Sequence, residues 1–247
     1  MHAVEVACRE GLFITGTDTG VGKTLVGAAL VYLLTAKGCR VGVAKPLESG
    51  VADTSRLGQD GELLRWASGS DAPLDGICPY RLDEPLAPAL AAHRQGICIE
   101  WPRVLDTLRQ SRAEYDFTVA EGAGGLLVPL AGKRLVADLV ADIGWPLLVV
   151  ARPGLGTVNH TLLTLETAKA RGLNVAGWII SGLPRQADVA QAHAVEQISG
   201  LTDIPCWGVL SQVEGTDREK VVKLARQMEG WDMVRSIRQG SRSEVRG

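Results

Sequence analysis

Three observations predict an α/β fold with a doubly wound, mainly parallel sheet. Six apolar runs are each about the length of a strand, amphipathic stretches of helical period lie between them, and the two patterns alternate throughout. Runs that are apolar at consecutive positions suit strands buried on both faces, as in parallel sheets. Parallel neighbours need crossovers, and right-handed crossovers place helices on both faces. Ligands of such a sheet bind in the crevice at the carboxyl ends of the strands.

In order, the first run is Leu12 to Thr15, followed by a helical pattern at 24–37. Val41 to Ala44 forms the second strand. The stretch Leu47 to Arg81 is rich in Gly, Asp and Ser, which predicts long loops over the site around one helix at 60–68. A helix at 100–113 leads to the strand Phe117 to Ala120, and one at 135–143 leads to Pro146 to Ala151. Helices at 157–171 and 187–199 precede the strands Val175 to Ile180 and Cys206 to Leu210, and a last helix covers 216–228. The 247 residues, 46% hydrophobic and 22% charged, suffice for one sizeable core. A single domain over 1–234 is expected, with a C-terminal tail over 235–247 whose Arg, Ser and Gly have little to bury.

A net charge of −2 gives no electrostatic reason to expect nucleic acid or an anionic membrane as partner, so small molecules are the expected ligands. No apolar run reaches the roughly 18 residues of a membrane span, and MHAVEVACREGLF lacks a basic leader, so a cytoplasmic location is expected. Cys8, Cys39, Cys78, Cys98 and Cys206 are odd in number and widely spaced, without a CxxC pair, and are expected to be reduced thiols. His2, His93, His160 and His193 show no metal-binding spacing, and the six Trp residues suit packing.

Chemistry concentrates in Gly16 to Thr24, GTDTGVGKT, which lies between a strand and a helix. The strict pattern GxxxxGK[ST] is missed at Thr17, because Gly16 lies one residue too early. The functional half is intact. Gly20 and Gly22 can adopt positive φ and turn backbone N–H groups toward phosphate oxygens, ahead of the positive end of a helix. Lys23 can reach the β and γ phosphates, and the Thr24 hydroxyl can ligate Mg²⁺. The domain is therefore expected to be of the P-loop NTPase type, with Gly20, Val21, Gly22, Lys23, Thr24 and Leu25 around ATP. Glu121 follows an apolar strand, which puts a hard oxygen ligand beside the phosphates, and Gly122, Ala123 and Gly124 let the backbone approach a ligand. Lys45, in KPLESG, ends the second strand and faces the crevice. Asp60 taken alone reads equally well as a helix N-cap.

Together GTDTGVGKT, KPLESG, Asp60, EGAGG, PYRLDEPLAPALAA (79–92) and GLGTVNHTLLT (154–164) resemble the dethiobiotin synthetase family, over about residues 11–215. The resemblance implies an ATP-dependent ligase that joins CO₂ to diaminopelargonate through a carbamate and its mixed anhydride with phosphate, closing a cyclic urea. It implies Mg²⁺ held by Thr24, Asp60 and Glu121, and catalytic roles for Lys23, Lys45 and Thr19. It places substrate at Thr19, Lys45 and Ser49, and a homodimer whose partner contributes the loop matching Gly156, Thr157 and Asn159. It assigns the base pocket to Ser181, Gly182, Ser211, Gln212 and Val213. Two positions depart from the pattern. Gly20 stands where some members have Glu, and Ser181 stands where some have an Asn that pairs with adenine. The alternative is a partition-type P-loop ATPase acting as a regulatory switch. Such proteins carry a signature lysine early in the loop, at the position of Asp18 here.

Overall fold

The computed structural model describes residues 10–231; Cys8, His2 and the predicted tail 235–247 lie outside them. The chain runs through β1 (Glu10–Gly16), α1 (Lys23–Ala36), β2 (Val41–Ala44), β3 (Leu47–Ser49), α2 (Gln59–Ser68), α3 (Leu74–Ile77) and β4 (Tyr80–Leu82). It continues through α4 (Pro88–Arg94), α5 (Trp101–Glu114), β5 (Phe117–Gly125), β6 (Pro129–Ala131), β7 (Arg134–Leu135) and α6 (Val136–Ile143). The last elements are β8 (Leu147–Ala151), α7 (Thr157–Ala170), β9 (Val175–Leu183), α8 (Val189–Ser199), β10 (Cys206–Ser211) and α9 (Asp217–Gln227).

Among the described residues the main sheet has six strands in the order β10-β9-β8-β1-β5-β2. Every neighbouring pair in it is parallel. Side chains alternate across the sheet as the pleat requires. Leu12 and Ile14 of β1 enter a core shared with α1, α2 and α9, whereas Phe13 enters the opposite core with α5, α6, α7 and α8. This is the doubly wound arrangement predicted from the alternation of patterns. Trp145, Trp178 and Phe13 are almost wholly buried in the second core. Each such side chain contributes on the order of 2–3 kcal/mol of burial free energy.

The predicted loop region between Leu47 and Arg81 is more ordered than expected. β3 and β4 form a separate parallel pair, with Leu47 opposite Tyr80 and Ser49 opposite Leu82. Strands of three residues are too short to leave a periodic signature, which is why composition alone read as loop. α3 adds one turn, and Ile77 accepts the Lys45 amide at 2.8 Å. Likewise, EGAGG is the last stretch of β5.

The helix starts differ in a way that matters for ligands. α8 and α9 close their first turns with side chains: Asp188 accepts from the Gln191 amide and Thr216 from the Glu219 amide. α1 begins at Gly22 with no side-chain cap, so its first amides remain available to an anion.

Candidate functional site

β1 ends at Gly16 in the middle of the sheet, and the loop that follows turns back over the strand ends before α1. The Thr17 amide donates to Val150 O at 2.9 Å, tying the loop to β8. Gly20 and Gly22 take φ values of 73° and 93°, the left-handed conformation expected from their place in the motif. A Cβ at Gly22 would lie 2.9 Å from the Ser181 hydroxyl, so the loop and the end of β9 meet at a position only glycine fits. The Asp18 side chain accepts the Thr19 amide at 2.7 Å, and Lys23 Nζ donates to Asp18 O at 2.9 Å. The Lys23 ammonium lies back along its own loop. Burial lowers its pKa, opposed by Glu121.

Thr19, Lys23, Thr24, Lys45, Asp60 and Glu121 all face one cleft of about 770 Å³ at the carboxyl ends of β1, β2 and β5. At its centre is a buried ion cluster. Lys45 Nζ lies 2.6 Å from Glu121 Oε1 and 2.7 Å from Asp60 Oδ2. The Thr24 hydroxyl donates to the same Glu121 Oε1 at 2.9 Å. Burial of Lys45 opposes its charge, but the two carboxylates outweigh it and raise its pKa, so the ammonium is firmly protonated. Burial pushes Glu121 up, with Lys45 pulling the other way. Asp60 is lowered: Lys45 and its hydrogen bond overcome the burial that would raise it.

Asp60 lies inside the first turn of α2, where the cap position is Gly58, so its side chain is released from capping and reaches Lys45. The anion at this helix start is Glu48, which sequence reading passed over within KPLESG. Its Oε1 accepts the Asp60 amide at 2.9 Å and its Oε2 accepts the Gly61 amide at 3.1 Å. The only signal for it was an acidic residue one step from an apolar strand position, flanked in space by glycines that cannot be paired with it from sequence.

The residues assigned to Mg²⁺ are suited to it. Glu121 Oε2 is buried without a hydrogen-bond partner, and Thr24 and Asp60 present further hard oxygens around it. Among the described residues no group of three or more His, Cys, Asp or Glu could hold a metal by itself. An ion here would therefore complete its shell with phosphate oxygens and water, the usual arrangement for Mg²⁺.

The remaining assignments divide. Ser49 lines the far wall of the cleft with Glu48, Leu86 and Val128. Gly124 and Ala123 line it as well. Ser181 is buried beside Gly22, and Ser211 opposes Leu183 on the neighbouring strand, which brings the two ends of the assigned base pocket together. The Gln212 amide donates to Leu183 O at 2.7 Å. Gly156, Thr157 and Asn159 do not reach the cleft within one chain. Gly156 starts α7 at φ 90°, Asn159 is exposed, and the Thr157 hydroxyl is spent on Arg152 O at 2.6 Å. A second, smaller cleft of about 390 Å³ lies on the other side of Thr19, lined by Leu127, His160 and Leu163. Among the described residues no helix is long and apolar enough to cross a membrane.

An AAA domain family matches residues 10–220. The chain is 38% identical over 227 residues to the ATP-dependent dethiobiotin synthetase BioD of Thermodesulfovibrio yellowstonii, covering 88% of this chain and 95% of that protein. It is 47% identical over 192 residues to the enzyme of the same name from Anaeromyxobacter dehalogenans, covering 78% and 85%. Among solved structures, a ParA family ATPase from Chlorobium tepidum superposes with a TM-score of 0.56 at 14% identity, covering 95% of this chain and 99% of that one. MinD from Pyrococcus horikoshii superposes at 0.53 and 17%, covering 96% of each. At such identities these two structures speak to fold alone, that of P-loop NTPases.

Proposed function

The chain belongs to the dethiobiotin synthetase family, and from that premise we propose that it carries out the ATP-dependent closure of diaminopelargonate and CO₂ to dethiobiotin in biotin biosynthesis. The observation that carries this reading is Lys45, a buried ammonium clasped by Glu121 and Asp60 within the cleft that also holds the phosphate loop. A switch ATPase needs no second buried lysine facing its phosphates from another strand. A carbamate beside ATP does, because two anions must be brought into contact. Asp18, at the position of the partition-ATPase signature lysine, speaks against that alternative as well.

In this reading the amino group of the substrate adds to CO₂ and loses a proton to give a carbamate, held by Lys45, Ser49 and the Thr19 hydroxyl. A carbamate oxygen attacks the γ phosphorus of ATP, and ADP leaves. Lys23, swinging from Asp18 O to the phosphates, offsets the charge that develops on the transferred group. Mg²⁺, held by Thr24, Asp60 and Glu121, would neutralise phosphate charge when bound. The neighbouring amine then attacks the carbamoyl carbon and phosphate departs, closing the five-membered urea. The chain's part is positioning and charge compensation, without a covalent intermediate. Gly156, Thr157 and Asn159, remote from the cleft in their own chain, serve the substrate carboxylate of a second protomer in a homodimer.

The test is direct. Incubation with Mg²⁺, ATP, bicarbonate and diaminopelargonate should yield the cyclic urea by mass spectrometry, and phosphate release without that product would reject the assignment. Lys45→Gln should lower ring formation by about 10²-fold or more while ATP affinity changes far less, whereas Lys23→Ala should damage both. Equal defects in binding would contradict this division of roles.

A further inference from the structure

Glu48 is 6% exposed on β3, three residues after Lys45, and both its oxygens point into the start of α2. α2 has no side-chain cap of its own, because its cap position is Gly58. The carboxylate supplies from another strand what Ser or Asp at the cap would normally supply locally. The helix is shaped to receive it. A Cβ at Gly58 would overlap Glu48 Oε1, and one at Gly61 would lie 3.2 Å from Oε2. Burial raises the Glu48 pKa, and the nearby Asp60 carboxylate adds to this. A local neutral cap would hold the helix without burying that charge. What the distant cap adds is a connection between β3 and the turn that carries Asp60.

We propose that Glu48 is a positioning residue of the site: by accepting the Asp60 and Gly61 amides it fixes the first turn of α2 against β3, and so aims the Asp60 carboxylate at Lys45 and Thr24. Glu48 lies on the cleft wall, but both of its oxygens are turned to the backbone amides of α2. The segment from Lys45 to Ser49, which ends in β3, and the helix that presents Asp60 are thereby held at one spacing. The inference rests on the proposed role of Asp60 in holding the metal, and the test separates the two.

Full-length wild type, Glu48→Gln, Asp60→Asn and the double variant are compared. Glutamine keeps one acceptor and presents an NH₂ to the second amide, which it cannot bond. In nucleotide-free protein, hydrogen exchange at the Asp60 and Gly61 amides should quicken about tenfold in Glu48→Gln, the loss of a cap-strength bond. Mn²⁺ affinity in the presence of ADP, followed by electron paramagnetic resonance, should fall about three- to tenfold, with a matching loss in kcat and little change in KM for the diamine. Adding Glu48→Gln to Asp60→Asn should cost almost nothing further, because both act through one carboxylate. Gly58→Ala, which crowds the same carboxylate from the helix side, should reproduce the pattern. A lowered melting temperature with unchanged Mn²⁺ affinity and kcat, or fully additive losses, would overturn the proposal. If Asp60→Asn alone leaves Mn²⁺ affinity unchanged, the metal role of Asp60 fails, and amide exchange together with non-additivity in kcat still decides the role of Glu48.

Discussion

At the scale of single residues, two lysines in one cleft are set to opposite purposes. Lys45 has its pKa raised, so its ionic contribution to stability is complete below the unfolded value near 10.4 and is lost only as pH rises through the still higher folded value. Melting curves from pH 7 to 10 should therefore show no decline attributable to it. Lys23 is lowered, so a free enzyme at alkaline pH must take up a proton to bind ATP. Calorimetry should find ATP affinity falling at a pH below the ordinary lysine range, and Lys23→Arg, whose guanidinium stays charged, should remove that decline. In the proposed base pocket Ser181 would govern a different property. Its hydroxyl has one donor and cannot match the paired contact an amide makes to adenine, so we propose weakened discrimination in turnover between ATP and CTP or GTP, and a strong ATP preference would refute this. Lys23, Thr24 and Glu121 were legible because loop spacing and strand ends announce them. Glu48 was not, since its partners are backbone amides twelve and thirteen residues away.

At the scale of elements, helix starts divide into those closed by side chains and those left open. Thr216 and Glu219 close α9 reciprocally. Thr216→Ala should lower stability by about 1 kcal/mol, measured by urea denaturation, without altering the phosphate loop. α1 is open because its first turn faces the cleft. The longer helices were readable from periodicity, with ends displaced by one or two residues: that predicted at 157–171 is Thr157–Ala170, and that at 60–68 is Gln59–Ser68, whereas β5 and β9 run five and three residues past the predicted ends Ala120 and Ile180, because glycine and serine there broke the apolar runs. β3, β4 and α4 were missed for one physical reason. Elements of three to seven residues, stabilised by packing on a larger body, carry too little local pattern to stand out from loop composition.

At the scale of the whole molecule, the described chain contains the phosphate cradle and the ion cluster but leaves Leu163 59% and Leu127 54% exposed on the smaller cleft, and Leu155 90% exposed just before α7. These side chains suit the face of the proposed homodimer. Leu163→Glu should shift the protein to a monomer in sedimentation experiments and abolish ring formation while preserving ATP binding. A dimer with full activity would refute that interface. Strand order has a further consequence, for the time course of synthesis. β1 is flanked by β5 and β8, whose paired residues emerge from the ribosome 107 positions later (Phe13 with Ala120) and 134 positions later (Phe13 with Leu147), and β5 must slot between β1 and β2. Sheets closed by such distant partners form late. A nascent chain stalled before residue 117 carries the whole nucleotide loop, yet its supporting strand has no neighbour on either side. Stalled chains of increasing length should remain protease-sensitive and blind to ATP until β8 has cleared the exit tunnel, with both properties changing together.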